Sequence, residues 1–178
     1  DEVRAQFETL VIAPVRLARL AAVHQRERGR GRVVNVSSST AGAALPFTGW
    51  YAAAKAALDA ATDALRLELG PAGIDVVRVE LGAVRTPAWD AAGEHVEAGS
   101  DPTSSDGRHR WAVLTRLVRP AFGDPDDAGE VIARAALAER PRRVYRSGFG
   151  ARMGLVSALT PDVVEDAVKR RVFGLESP

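Results

Sequence analysis

A chain of 178 residues, 46% hydrophobic and 26% charged, is long enough for one domain with its own core. Its net charge of +1 supplies no field that would draw it to nucleic acid or an anionic membrane, and the absence of cysteine excludes disulfides and thiolate metal sites. No apolar run approaches the roughly 18 residues that span a bilayer. The opening Asp1-Glu-Val-Arg is not a secretory signal, so a cytoplasmic location is expected.

Phe7, Leu10, Val11, Pro14, Leu17, Leu20 and Ala21 recur at helical spacing and predict an amphipathic helix over 3–28. The basic, glycine-punctuated run Arg26–Arg32 reads as its solvated C-terminus, where cations are favoured. Val33–Ser37 reads as a buried strand, followed by a loop over 38–50 containing Pro46 and Gly49. A helix is predicted from Tyr51 to Leu69, stopped by Gly70-Pro71. Ile74–Glu80 is a second strand, ending at Gly82. Residues 88–123, rich in Gly, Ser, Asp and Pro, are expected to form a mobile lid over a site, with a helix near 109–118. Asp124-Pro125 opens a helix to about Glu139, Arg142–Arg146 is a third short strand, and one or two helices complete the chain.

Helices alternating with strands imply parallel strands joined by crossover helices, hence an α/β fold in a single domain over 1–178. Three strands are few for a doubly wound sheet, and no strand precedes the first helix. One sheet edge is therefore expected to be covered by residues upstream or by another segment.

Tyr51 and Lys55 stand at i and i+4 on one face of a helix. A free phenol has a pKa of about 10, and a nearby ammonium stabilises its phenolate and lowers that value. Ser38 lies just past the C-terminal end of a strand, where α/β sheets place ligands. Its hydroxyl suits a substrate carbonyl while Tyr51 supplies or removes the proton. Ser37 and Ser39 flank Ser38, and only the interval to Tyr51 selects among the three. His24, His95 and His109 are widely spaced with no His-x-x-x-His pair, so no metal site is expected. Asp124, Asp126 and Asp127 read as helix caps. Trp50 is expected to pack beside the catalytic helix, and Trp89 lines either an apolar substrate pocket or the core.

Arg32-Val-Val-Asn-Val-Ser-Ser38, Tyr51-Ala-Ala-Ala-Lys55 and Leu81-Gly-Ala-Val-Arg-Thr-Pro87 together resemble the short-chain dehydrogenase/reductase family. The resemblance implies a Rossmann-like doubly wound parallel sheet, here apparently lacking its N-terminal half, and NAD- or NADP-dependent oxidation and reduction. It implies Tyr51 as general acid and base, Lys55 on the nicotinamide ribose, and Ser38 orienting the substrate. Gly82, Val84 and Thr86 would meet the nicotinamide end of the cofactor. Ser39 and Trp89 would touch a small alcohol, ketone or aldehyde, with a lipophilic substrate similar to a steroid or retinoid as the expectation. A homodimer or homotetramer, with no nucleic-acid partner, is the implied assembly.

The sequence departs from the family pattern in three places. It contains no Gly-rich first turn, no residue selecting between NAD and NADP, and no Asn-Asn-Ala-Gly segment. Gly148-Phe-Gly150-Ala-Arg-Met-Gly154 is off in spacing and reads as a turn and helix start. Leu10 stands where the family often has a water-anchoring asparagine. Leu81 replaces a loop-shaping proline, which is expected to loosen the nicotinamide contacts. These departures support an alternative, a non-catalytic or truncated relative serving as a binding, scaffold or dimerisation subunit.

Overall fold

The computed structural model describes residues 2–98 and 105–175. Helix α1 (Glu2–Phe7), a π-helical turn (Glu8–Ile12) and α2 (Ala13–Glu27) lead into strand β1 (Gly31–Ser38). Helix α3 (Gly49–Leu69) and strand β2 (Ile74–Leu81) follow, then α4 (Ala88–Glu97), α5 (Ser105–Val118) and α6 (Pro125–Leu137). Strand β3 (Val144–Ser147), α7 (Met153–Leu159) and α8 (Asp162–Phe173) end the described chain.

The three strands pair in chain order and all run parallel, as the alternation of helices and strands predicts. Parallel neighbours cannot be joined by a tight turn, so helices must cross over the sheet and cover it. Ala18 and Ala22 of α2 and Leu65 and Leu69 of α3 pack on Val33, Ile74 and Val76 on one face. Val131 and Ala135 of α6 pack on Val77 and Val79 on the other. The sheet is therefore wound on both faces. No described strand pairs with the second edge of β1.

The first helix is not continuous. Pro14 has no N–H to donate to the carbonyl of Leu10, and the helix answers with the π turn, in which the Ala13 N–H reaches back to Glu8. The 88–123 segment holds more helix than expected: α5 contains the predicted 109–118 helix, and α4 is an addition to it. α4 and α5 occupy much of 88–123, and Trp111 is buried with Val96 and Phe173. That apolar contact with the C-terminal helix overrides the loop-like composition. Residues 99–104 of the expected lid lie outside the described residues. α3 begins two positions before Tyr51, and β3 lies slightly later than the expected 142–146.

Candidate active site

β1 ends at Ser38, and α3 brings Tyr51 back to the same place in its first turn. The Ser38 hydroxyl accepts from the Thr40 N–H at 3.3 Å and from the Thr40 hydroxyl at 2.9 Å. Those two bonds occupy its acceptor sites and leave its own proton to donate. The Ser38 hydroxyl faces the Tyr51 phenol and favours its ionised form. One turn further along α3, Lys55 Nζ donates to the Val36 carbonyl at 3.0 Å and lies 5.9 Å from the Tyr51 ring centroid. The three side chains singled out in the sequence thus converge at the carboxyl end of β1. Ser38, not Ser37 or Ser39, is the serine that meets Tyr51. Ser39 is buried in the 3-10 turn Ser39–Ala41.

The electrostatics differ from the expectation. Burial is the dominant influence on Tyr51 and pushes its phenol above the ordinary value, with the Ser38 hydrogen bond opposing it. Lys55 does not reverse this, because its ammonium lies beside the ring and its hydrogen bond goes to the backbone. Burial also lowers the pKa of Lys55, and the charge of Asp59 partly offsets that shift. In this state Tyr51 is a neutral acid, able to donate a proton.

Beneath the pair lies a charged cluster that the sequence reading did not single out. Register places Ser37 of β1 opposite Glu80 of β2, and Glu80 opposite Arg146 of β3. Arg78 bridges to Asp59 at 3.3 Å and to Glu80 at 2.8 Å, and Arg146 reaches Glu80 at 2.6 Å. Burial raises the Asp59 pKa, while Ser37 and Arg78 pull it down. The Ser37 hydroxyl faces Asp59, yet Ser37 Oγ and Asp59 Oδ1 are both buried without a closed hydrogen bond. The available signal was Arg78 and Glu80 in a strand covered on both faces, where charges are costly unless paired.

The segment after β2 is fixed by backbone contacts with two other loops. The Gly82 N–H donates to Ser147 at 2.8 Å and the Ala83 N–H to Phe149 at 2.8 Å. The Gly123 N–H donates to Ala83 at 3.0 Å, and the Arg85 N–H returns a bond to Gly123 at 3.0 Å. The Arg85 side chain donates to the Phe122 carbonyl at 2.7 Å and pairs with Asp124. A Cβ on Gly82 would sit 2.0 Å from the Phe149 carbonyl oxygen, so only glycine allows this approach. Val84 is buried, and the Thr86 carbonyl accepts from the Trp89 N–H at 3.2 Å. The Leu81 side chain joins the core between β2 and α6.

Trp89 packs on Phe122 with ring centroids 4.8 Å apart, and Phe122 lies 6.4 Å from Phe149. Trp50 is exposed apart from an edge contact with Phe7. The Gly148–Gly154 stretch is a turn leading into α7. A Cβ on Gly150 would meet Met153 Sδ at 2.8 Å, so this glycine packs closely on the start of α7.

The family profile described as short chain dehydrogenase matches residues 1–97, more than half of the chain. The chain belongs to the short-chain dehydrogenase family. It is 26% identical over 180 residues to the uncharacterized oxidoreductase YusZ of Bacillus subtilis, across 97% of this chain and 64% of that protein. Identity to human 17-beta-hydroxysteroid dehydrogenase type 1 is 28% over 149 residues, across 82% of this chain and 45% of that one. The crystal structure of a short-chain dehydrogenase from Streptomyces avermitilis superposes with a TM-score of 0.71 at 30% identity, covering 95% of this chain and 60% of that one. The chain spans about half to two thirds of the length of these short-chain dehydrogenase relatives.

Proposed function

We propose that the protein is an NAD- or NADP-dependent oxidoreductase interconverting an alcohol and a ketone or aldehyde. The observation that carries this reading is the convergence of Ser38, Tyr51 and Lys55 at the carboxyl end of β1. The nicotinamide supplies or accepts the hydride when it is bound. Ser38 donates to the carbonyl oxygen and fixes its direction. Tyr51, a neutral phenol in this state, gives its proton to that oxygen on reduction and takes one back on oxidation. Lys55 binds the ribose hydroxyls and counters the phenolate left after proton transfer. Gly82, Val84 and Thr86 border the nicotinamide end, and dinucleotide binding is proposed for the protein as a whole.

The substrate in this reading is small and lipophilic. Trp89, Phe122 and Phe149 offer an aromatic wall beside the 82–86 loop, and the similarity to a protein named as a hydroxysteroid dehydrogenase supports a ring ketone or secondary alcohol. Ser39 and Trp89 are proposed substrate contacts. A homodimer or homotetramer is proposed through the α2 and α3 side, where Leu17, Leu20, Val23 and Leu67 are exposed. The proposed compartment is the cytoplasm. No described helix is long and apolar enough to cross a membrane.

The test is fluorescence titration with NADH and NADPH, followed by turnover of a panel of lipophilic ketones. Binding of one dinucleotide and reduction of a panel member are expected. Loss of a positioned general acid costs about 100- to 10,000-fold, so Tyr51→Phe is expected to lose at least that much kcat. Retained turnover in Tyr51→Phe would remove Tyr51 from the proton-transfer role.

A second reading rests on the raised pKa of Tyr51, opposite in direction to what proton exchange near neutrality favours. In that reading the chain is a non-catalytic family member serving as a binding, scaffold or dimerisation subunit. Oligomerisation without binding of either dinucleotide is the result it requires.

A further inference from the structure

The buried cluster beneath Lys55 contains a carboxylate that the proton-transfer chemistry does not use directly. Asp59 follows Lys55 by one helical turn, so both lie on the face of α3 that packs against the sheet. Lys55 is 9% exposed and the Asp59 side chain 16% exposed, too little water to neutralise either charge cheaply. One Asp59 oxygen is engaged by Arg78, while Oδ1 is buried and has no hydrogen-bond partner.

We propose that Asp59 is the fixed counter-charge of Lys55, a positioning residue that keeps the buried ammonium protonated and directed toward Val36 and Tyr51. The surroundings of both groups are consistent with that role. Lys55 is faced by Tyr51 and Asp59 on α3 and by the Val36 carbonyl on β1. Asp59 is faced by Ser37 on β1, Arg78 and Glu80 on β2, and Asp63 on its own helix. Arg78 keeps Asp59 ionised, but its guanidinium is shared with Glu80 and Asp63. Arg78 therefore does not neutralise the carboxylate completely, and its remaining field acts on Lys55. Burial lowers the pKa of Lys55, and the charge of Asp59 opposes that.

The inference rests on the role proposed for Lys55, but its test does not use turnover. The chain has two lysines, Lys55 and Lys169, so protein carrying lysine labelled with 13C at Cε gives two signals. Lys169→Arg assigns them. Lys55 is expected to titrate below the ordinary lysine value. In Asp59→Asn its midpoint is expected to fall further, by about one pH unit for the loss of a buried charge one helical turn away. Asp59→Glu restores most of the shift. Asp75→Asn, which removes a half-exposed carboxylate paired with Arg32, leaves it in place.

The wild-type protein provides a second measurement that needs no variant. Its Lys55 signal is expected to show a small extra step at acid pH as Asp59 takes up a proton. If Asp59→Asn does not fold, this step decides the matter alone. A wild-type Lys55 signal without the acid step overturns the assignment, as does a Lys55 midpoint unchanged by Asp59→Asn. A protein that shows the coupling and reduces no ketone would refute the oxidoreductase reading and leave the charge pairing intact.

Discussion

The ammonium of Lys55 donates to the carbonyl of Val36 at 3.0 Å, so its strongest contact is with the strand and not with the phenol it accompanies. That bond carries Lys55 across the gap between α3 and β1. It places the charge beside the Tyr51 ring, 5.9 Å from its centre, where it supports the ring face more than the oxygen. Burial, only partly opposed by Ser38, therefore holds the Tyr51 phenol above its ordinary value.

The first prediction concerns stability at alkaline pH. The Tyr51 pKa is higher in the folded state than the ordinary 10.0, so the unfolded chain loses its phenolic proton first. The contribution from Tyr51 is complete below about pH 10 and is lost as pH rises through the folded value. Urea unfolding between pH 8 and 11 should show this decline. Tyr51→Phe should remove that component, and an unchanged slope in the variant would contradict the burial of the phenol.

Lys55 should behave in the opposite sense. Its folded pKa lies below the ordinary 10.5, so protonation favours the unfolded chain and stability gains from this residue as pH rises toward that value. Replacing a buried charge by an apolar side chain of similar length is often neutral or stabilising. Lys55→Met is therefore expected to keep or raise Tm at pH 7 while removing any dehydrogenase activity. A large drop in Tm would show that the Val36 bond outweighs the cost of burying the charge.

Gly82→Ala should be severe for its size. The added methyl meets backbone atoms of Phe149 and Ala151, which cannot swing aside as a side-chain tip would. Overpacking of this kind costs about 1–3 kcal/mol. Chemical denaturation measures it, and a loss below about 0.5 kcal/mol would mean that the 147–151 turn moves freely.

Two ion pairs should rank by burial. Arg85 and Asp124 are each about half exposed, and such pairs contribute about 0–1 kcal/mol, so Asp124→Asn is expected to be mild. Arg78 joins Asp59 and Glu80 with all three side chains largely covered, and removing one partner of a buried pair costs about 3–5 kcal/mol. Arg78→Gln should therefore destabilise far more than Asp124→Asn in the same urea titration. Equal effects would mean that water reaches the cluster.

The parts of the molecule legible in the sequence are those set by short intervals. Tyr51 and Lys55 announce themselves because a helical turn brings i and i+4 together, and Ser38 because a strand end precedes it. The alternation of apolar strands and amphipathic helices likewise gives the parallel sheet. The cluster around Asp59 is different in kind. Ser37, Asp59, Arg78, Glu80 and Arg146 come from four elements, and only the strand register places them in one group. Helix α4 and the first turn of α5, before the predicted 109–118, were hidden for a related reason. Their composition resembles a loop, and it is Phe173, some sixty residues beyond Trp111, that helps bury them. The π turn at Leu10 was readable in principle from Pro14, whose missing N–H interrupts the helical ladder.

The bonds from Gly82 and Ala83 to Ser147 and Phe149 also affect how changes are inherited by the site. The 82–86 segment takes its shape from a turn more than sixty positions later in the chain. If the proposed function holds, substitutions in that turn, two strands across from Ser38 in the sheet, would be read out as altered grip on the ring of the cofactor. Selection for a new substrate or dinucleotide could act there while leaving the reacting groups untouched.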